Sequence, residues 1–260
     1  MTKGMRGRVA LVTGGASGIG RVTAQAFARE GVKVIVATDA NIKGAEETVR
    51  LIKDTGGEAT FVKCDVSKAR EVEAMVSKSV ETYGSLDYGF NNAGIGPDGK
   101  RIPVFPIADC PEEIWDLMLD VNLKGMWLCM KYEIRQMLKQ RRGVIVNTSS
   151  VGAIRPIPGF GPYGASKSGL IVLTKTAALE GAPFGIRVNV ICPGLTARTQ
   201  LAENISSTNP EEKEQMLKMV PMARMGEPEE MAEAVLWLCS DSASFITGHV
   251  MPIDGGLSAT

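Results

Sequence analysis

Tyr163 and Lys167 carry the most telling spacing in this chain of 260 residues. They stand four apart, which on a helix puts both side chains on one face. An ammonium beside a phenol favours the phenolate. At about 4 Å and an effective dielectric of about 20 the attraction is about 4 kcal/mol, or roughly three pKa units off a reference of about 10. Burial takes back part of that. A tyrosine shifted toward neutrality is a workable general acid/base, and the pair predicts such a shift. Ser150, thirteen residues before Tyr163 and preceded by Ser149, has a hydroxyl suited to holding a substrate oxygen. Asn122 falls in mid-helix, where Asn is a poor helix former. The one histidine, His249, is preceded by no G-x-S-x-G elbow, so a Ser-His hydrolase is excluded and His249 reads as structural or interfacial. No His/Cys/carboxylate cluster has metal-ligand spacing, and no metal is expected.

A second constellation lies near the N-terminus. Thr13-Gly14-Gly15-Ala16-Ser17-Gly18-Ile19-Gly20 follows an apolar run and leads directly into a helical pattern. Glycines let the backbone turn sharply and approach a pyrophosphate, and the helix N-terminus offers free N–H groups and partial positive charge. The strand–loop–helix context makes this a dinucleotide loop rather than a chance glycine triplet. Asp39, nineteen residues past Gly20, lies near the distance at which an acidic residue takes the adenosine ribose hydroxyls of NAD.

These residues need a frame. Short β-branched runs at 8–13, 32–37, 59–63, 86–90, 144–148, 186–191 and 245–253 alternate with helical patterns at 21–30, 43–53, 69–83, 112–140, 163–180 and 229–240. Gly31, Gly84 and Gly143 mark helix ends. Strands apolar throughout and separated by helices predict an α/β fold: a Rossmann-type, doubly wound parallel sheet of about seven strands, covered on both faces. The whole chain, 1–260, reads as one domain, and the polar, then Met-rich stretch 198–228 reads as a lid over the site.

Composition removes other classes. Lys plus Arg equals Asp plus Glu at 29 each, so no net field recruits nucleic acid or an anionic membrane. Five cysteines with no C-x-x-C pair argue against a disulfide framework and for a reducing, cytoplasmic setting. No apolar stretch is long enough for a signal peptide or a membrane span.

The spacing T-G-x-x-x-G-x-G resembles the cofactor loop of the short-chain dehydrogenase/reductase family. Asn91-Asn92-Ala93-Gly94, Asn122 in Val121-Asn122-Leu123-Lys124-Gly125, Tyr163-Gly-Ala-Ser-Lys167 and Pro193-Gly194 agree with it over essentially the whole chain. The resemblance implies that Tyr163 is the general acid/base and that Ser150, rather than Ser149, orients the substrate oxygen. It implies that Lys167 also holds the nicotinamide ribose, and that Asn122 supports a water relaying protons from Lys167. It assigns the cofactor to Gly14, Ser17, Gly18, Ile19, Gly20, Thr38, Asp39, Asp65, Val66, Asn92, Ala93, Gly94, Tyr163, Lys167, Pro193, Gly194 and Thr196. In the family the NAD-selecting Asp usually aligns with Thr38, and position 39 carries Arg in many NADP enzymes. Asp39 has the opposite charge, and Ser17 stands at a position often basic in NADP enzymes. NAD is therefore favoured over NADP, with Arg21 and Lys43 as the cations still near enough to compensate a phosphate. Arg198 departs from the family's Pro-Gly-x-x-x-Thr pattern and is a candidate to reach the pyrophosphate or an anionic substrate.

The expected reaction is interconversion of a secondary alcohol and a ketone by hydride transfer. Ile95, Gly152, Ile154, Phe160 and Leu195 are the pocket walls, and 96–101 a source of polar contacts. Alternatives are an NADPH-dependent carbonyl or ketoacyl reductase, a glucose-type sugar dehydrogenase, and a non-catalytic NAD-binding scaffold. The last is disfavoured because Tyr163 and Lys167 are both present. By analogy with the family, the helices at 112–140 and from Tyr163, with surplus apolar residues such as Trp115, Leu119, Trp127 and Met130, pair into a homotetramer. Phe245–Gly256 would form its second interface.

Overall fold

The computed structural model describes residues 4–98, 102–199 and 210–259. Seven strands form one parallel sheet: β1 (Val9–Thr13), β2 (Lys33–Thr38), β3 (Ala59–Lys63), β4 (Tyr88–Asn91), β5 (Gly143–Thr148), β6 (Ile186–Pro193) and β7 (Val250–Ile253). Their spatial order is β3-β2-β1-β4-β5-β6-β7. β1, β4 and β5 are buried residue by residue, which is why they read as apolar runs rather than as alternation. The order reverses between β1 and β4, and the crevice beyond their carboxyl ends is where such sheets bind ligands.

On one face lie α1 (Gly18–Arg29), α2 (Ile42–Asp54) and, late in the chain, α8 (Pro228–Cys239), closing a core around Phe27, Ile52, Phe90 and Val235. On the other lie α3 (Ala69–Tyr83), α4 (Glu112–Leu119), α5 (Met126–Gln140) and α6 (Gly161–Gly181), around Leu11, Met75, Met126 and Leu170. One further helix, α7 (Pro210–Lys218), belongs to the stretch read as a lid; residues 200–209 of that stretch, and 99–101 of the proposed polar contacts, lie outside the described residues.

Four expectations change. The single helix over 112–140 is two α-helices joined by a π-helical turn at Asp120–Gly125, so its period shifts at Asn122. Its end is set by Arg141 in the left-handed region (φ 53°), stacked 5.7 Å over Phe184, while Gly143 already belongs to β5. The strand at 245–253 begins only at Val250. Gly248 turns at φ 71° and its N–H reaches Val188 O (2.8 Å), so 245–249 hugs β6 from outside and Phe245 is fully exposed. α7 was not foreseen, because its sequence is polar and lacks an apolar stripe.

The end of the sheet opposite the crevice is tied by Asp87. Its carboxylate, nearly inaccessible, accepts from Val9 N (3.0 Å), Ser85 Oγ (2.8 Å), Arg8 (3.0 Å) and Arg142 (3.0 Å), joining the starts of β1, β4 and β5. Asp87→Ala strands the buried Val9 amide and unties two partly exposed guanidinium groups, and is expected to cost about 2 kcal/mol in urea denaturation.

Candidate active site

The glycine loop leaves β1 and opens α1. Gly14 N and Gly15 N both donate to Ala37 O (2.8 and 3.4 Å), so the loop is pinned to the end of β2, beside Thr38 and Asp39. Gly14 has φ 65°, and a Cβ there would lie 2.9 Å from Ala93 Cα, so any other residue would be strained and would push the loop off the β4 end. Thr13 Oγ1 accepts from Asn92 N (3.0 Å) and Ala93 N (3.1 Å), which fixes Asn92-Ala93-Gly94 against the loop. Ser17 caps α1 in extended conformation with its hydroxyl unused by the helix, and no acidic side chain fills the first turn; the free N–H groups of Gly18, Ile19 and Gly20 face the crevice end of the sheet.

Of the two cations expected to be near enough to compensate a phosphate, Arg21 is already engaged. Its guanidinium donates to Ala16 O, Gly44 O (3.1 Å) and Thr48 Oγ1 (3.0 Å), and Thr48 Oγ1 donates to Gly15 O (2.9 Å). This strut fastens the glycine loop to the first turn of α2. Arg21 is therefore a support of the loop, not a free ligand for a 2′-phosphate. Lys43 and Asp39 are both exposed at the mouth. Asp65 accepts from Ser67 N (2.9 Å) and receives Glu71 on its own amide (2.9 Å), forming the turn after β3, with Val66 buried beside it.

Across the crevice, α6 carries Tyr163 in its first turn. Its ring runs between Gly96, where a Cβ would meet Tyr163 Cε2 at 3.2 Å, and Gly152, where one would meet Cε1 at 3.5 Å. Phe160 stands edge-on to it at 6.1 Å. Ser150 ends the strand segment in extended conformation, its Oγ accepting from Gly152 N (3.1 Å). Lys167 is 3% exposed and donates from Nζ to Thr148 O (2.8 Å), while its own carbonyl accepts from Ser149 Oγ (2.8 Å). Ser149 is thus a support of α6, and Ser150 is the serine beside Tyr163.

The electrostatics differ from the expectation. Burial pushes the Lys167 ammonium down to about 8. Burial likewise raises the Tyr163 phenol above its ordinary value, opposed by a hydrogen bond with Ser150. Burial outweighs the Ser150 bond, and the Lys167 ammonium, which lies 5.9 Å from the ring centre and is directed at Thr148 O, does not lower the phenol as the spacing predicted.

Asn122 sits in the π turn and is completely buried. It grips the main chain of Ile95 on both its polar groups: Oδ1 accepts from Ile95 N (2.9 Å) and Nδ2 donates to Ile95 O (2.8 Å), with Ser166 Oγ at 3.4 Å. An extra Cβ on Gly94 would come within 3.1 Å of Asn122 Oδ1 and 3.3 Å of Lys167 Nζ, so the two polar groups converge on that glycine. Thr13, Arg21, Thr48 and Ser149 were missed as supports; each has a backbone partner in another segment, Thr13 at Asn92 and Ala93, Arg21 at Gly44, Thr48 at Gly15 and Ser149 at Lys167, for which sequence spacing holds no signal.

β6 delivers Pro193 and Gly194, and Gly194 N bonds Ile253 O (3.0 Å). Thr196 is buried, its hydroxyl donating to Gly194 O (3.2 Å). Arg198 (φ 53°) carries its backbone near Gly18, but its guanidinium turns away to Glu227 (3.0 Å) and Glu229, so the expected reach toward a pyrophosphate or anionic substrate is not present. Of the five pocket residues, Gly152 and Phe160 touch Tyr163, Ile95 adjoins Gly96, and Ile154 is exposed at the rim. Leu195 instead lines a cavity of about 360 Å³ with Met222, Met231 and Ile253.

A nucleotide-loop helix, a buried lysine beside a tyrosine, and a serine on the neighbouring strand end now share one crevice. The family described as Enoyl-(Acyl carrier protein) reductase matches residues 14–258. The chain belongs to the short-chain dehydrogenase/reductase family. It is 44% identical to an uncharacterized oxidoreductase of Thermotoga maritima, over 98% of each chain. It is 39% identical to 3beta-hydroxysteroid dehydrogenase 1 of Eggerthella lenta, over 98% of this chain and 95% of that one. The crystal structure of NAD+-bound xylitol dehydrogenase superposes with a TM-score of 0.91 at 35% identity, covering 98% of this chain and 100% of that one. The protein is an oxidoreductase of this family, whose members use NAD(P) cofactors.

Asn122→Ala removes the partners of the Ile95 N–H and C=O in a buried setting. A loss of about 2–4 kcal/mol is expected in urea denaturation, with near-neutral effects placing the Ile95 groups on water instead.

Proposed function

We propose that the protein interconverts a secondary alcohol and a ketone with NAD(H). The observation that carries this is the convergence of Tyr163, Ser150 and Lys167 at the carboxyl end of β5, facing the glycine loop across the β1/β4 crevice. The nicotinamide, when bound, supplies or accepts the hydride. Gly14, Ser17, Gly18, Ile19 and Gly20 would hold the pyrophosphate, Thr38 and Asp39 the adenosine ribose, and Asp65 and Val66 the adenine. Asn92, Ala93, Gly94, Pro193, Gly194 and Thr196 would line the nicotinamide half. Ser150 orients the substrate oxygen, and Tyr163 takes or gives the hydroxyl proton. Lys167, when protonated, would hold ribose hydroxyls, and its positive charge favours the phenolate against the burial that raises the Tyr163 phenol.

Asp39 supports NAD over NADP: it is exposed at the end of β2, the half-buried Arg21 is spent on the loop, and a 2′-phosphate would face a carboxylate. The Tyr163 surroundings (Gly96, Gly152, Phe160, Ile154) are apolar, which suits a cyclic or aliphatic alcohol or ketone better than a sugar. The chain acts as one domain with 198–228 closing over the substrate. Exposed Trp115, Trp127, Val172 and Leu179 on α4, α5 and α6 support pairing into a homotetramer; Met130, expected among them, packs in the core instead. No described helix is long and apolar enough to cross a membrane, and the setting proposed is the cytoplasm.

NADH and NADPH titrations followed by fluorescence are expected to show at least tenfold tighter NADH binding, with Asp39→Ser narrowing the gap. Equal affinities in the wild type would overturn the NAD assignment. Tyr163→Phe is expected to keep NADH binding and to lower turnover of a cyclic secondary alcohol by about 100-fold or more. Retained turnover would remove Tyr163 from the reaction.

A further inference from the structure

Behind the site, between β4, β5, α5 and α6, lies a closed polar cluster that the reaction does not use. Glu133 of α5 is completely buried. Its Oε2 accepts from Asn91 Nδ2 (2.9 Å), which also donates to Asn147 Oδ1 (3.0 Å). Asn147 Nδ2 donates to Thr174 Oγ1 (2.9 Å), and that hydroxyl donates to Leu170 O (2.8 Å). Every donor is spent. Two acceptors remain without partners, Glu133 Oε1 and Asn91 Oδ1. Gly89 of β4 is open only enough for the carboxyl, since a Cβ there would lie 2.6 Å from Oε1.

Charge balance fails as well as donor balance. Among the described residues no cation pairs with Glu133. From β4 it meets Gly89 and the neutral Asn91, and the groups linked beyond Asn91 on β5 and α6, Asn147 and Thr174, are neutral too. Its titratable neighbour is Cys129, one turn earlier on α5, whose thiol is raised well above its ordinary value by burial first and by Glu133 second, and so is neutral. A bare carboxylate here would be an uncompensated buried charge.

We propose that Glu133 is held as the neutral carboxylic acid, with its proton on Oε1 donated to Asn91 Oδ1. The acid and the amide then form a paired ring, Asn91 Nδ2 to Oε2 in one direction and Oε1–H to Oδ1 in the other. A single proton supplies the missing donor and removes the buried charge. The ring holds Asn91, the residue before Asn92-Ala93-Gly94, and through it Asn147, the residue before Thr148, whose carbonyl receives Lys167. Glu133 is a positioning residue: it acts on the site through the two strand ends. This inference is independent of which cofactor or substrate is used.

Burial pushes the carboxyl up to about 7 from 4.5, opposed by the Asn91 bond. The folded state therefore holds a proton that the unfolded state releases. The stabilisation is complete below the unfolded value and is lost as pH rises through about 7. By linkage that shift lowers the folding equilibrium constant roughly 30-fold between about pH 5.5 and about pH 8.5, beyond what other groups contribute.

Glu133→Gln carries a permanent amide donor in place of the proton. Urea denaturation of wild type and Glu133→Gln from pH 5.5 to 8.5 should show the wild type losing that factor of about 30 relative to the variant. Parallel pH curves would overturn the proposal. Infrared spectra of the wild type at pH 6, where ordinary carboxylates are ionised, test it without any variant. A residual protonated-carboxyl C=O stretch that disappears by pH 9 is expected; its absence, as for a carboxylate satisfied by a buried water, refutes the proposal even if Glu133→Gln does not fold.

Discussion

An ammonium group with almost no access to water and, among the described residues, no carboxylate partner is the constraint on which the site depends. Lys167 Nζ is held by one backbone carbonyl, Thr148 O, and burial already draws its proton affinity down to about 8. Such a group keeps its charge only if its surroundings are polar and fixed. The neighbouring structure supplies both conditions. Ser149 locks the backbone of α6 at Lys167, Gly94 leaves room for Nζ, and Asn122 brings an amide oxygen to the same glycine. The π turn is the local cost of that arrangement: six residues abandon α-helical register so that Asn122 can reach the main chain of Ile95.

The same logic extends into the core. A parallel sheet covered on both faces has little interior place for polar side chains, yet Asn91, Asn147 and Asn189 lie fully buried in or against it. Each is spent on backbone or side-chain groups of another element, and Asn189 receives the His249 amide and donates to Ile246 O. Directional bonds of this kind set strand register and orientation where apolar packing alone would tolerate small slips. The ends of β4 and β5 are therefore more sharply positioned than their hydrophobic contacts require, and those ends carry the crevice.

The two halves of the crevice are built differently. On the nucleotide side, backbone groups face the ligand space and the side chains work behind them: Thr13 on Asn92 and Ala93, Arg21 on Ala16 and Gly44, Thr48 on Gly15. On the Tyr163 side, side chains face the space and backbone works behind them, as Thr148 O does for Lys167. Pyrophosphate recognition needs close backbone approach, whereas proton transfer needs a titratable side chain.

Strand and helix order were legible because burial on both faces leaves unbroken apolar runs, and because glycines such as Gly31 and Gly84 mark turns that tertiary contacts do not override. The glycine loop and the Tyr163–Lys167 pair were legible for the same local reason: their geometry is set within one strand–loop–helix unit or one helical turn. Several features were not legible. The direction of the Tyr163 shift depends on how much water the fold removes, and Ser149 and Ser150 differ only in which side of the strand end faces α6. Arg21 and Arg198 are equally cationic in sequence, but one is spent on carbonyls of the loop and the other on Glu227 and Glu229. The linear chain by itself determined most of the elements and their order, because propensity and periodicity act over a few neighbours. Tertiary structure alone decided which polar groups are buried and what each one faces, because desolvation and hydrogen bonding depend on segments that meet only after folding.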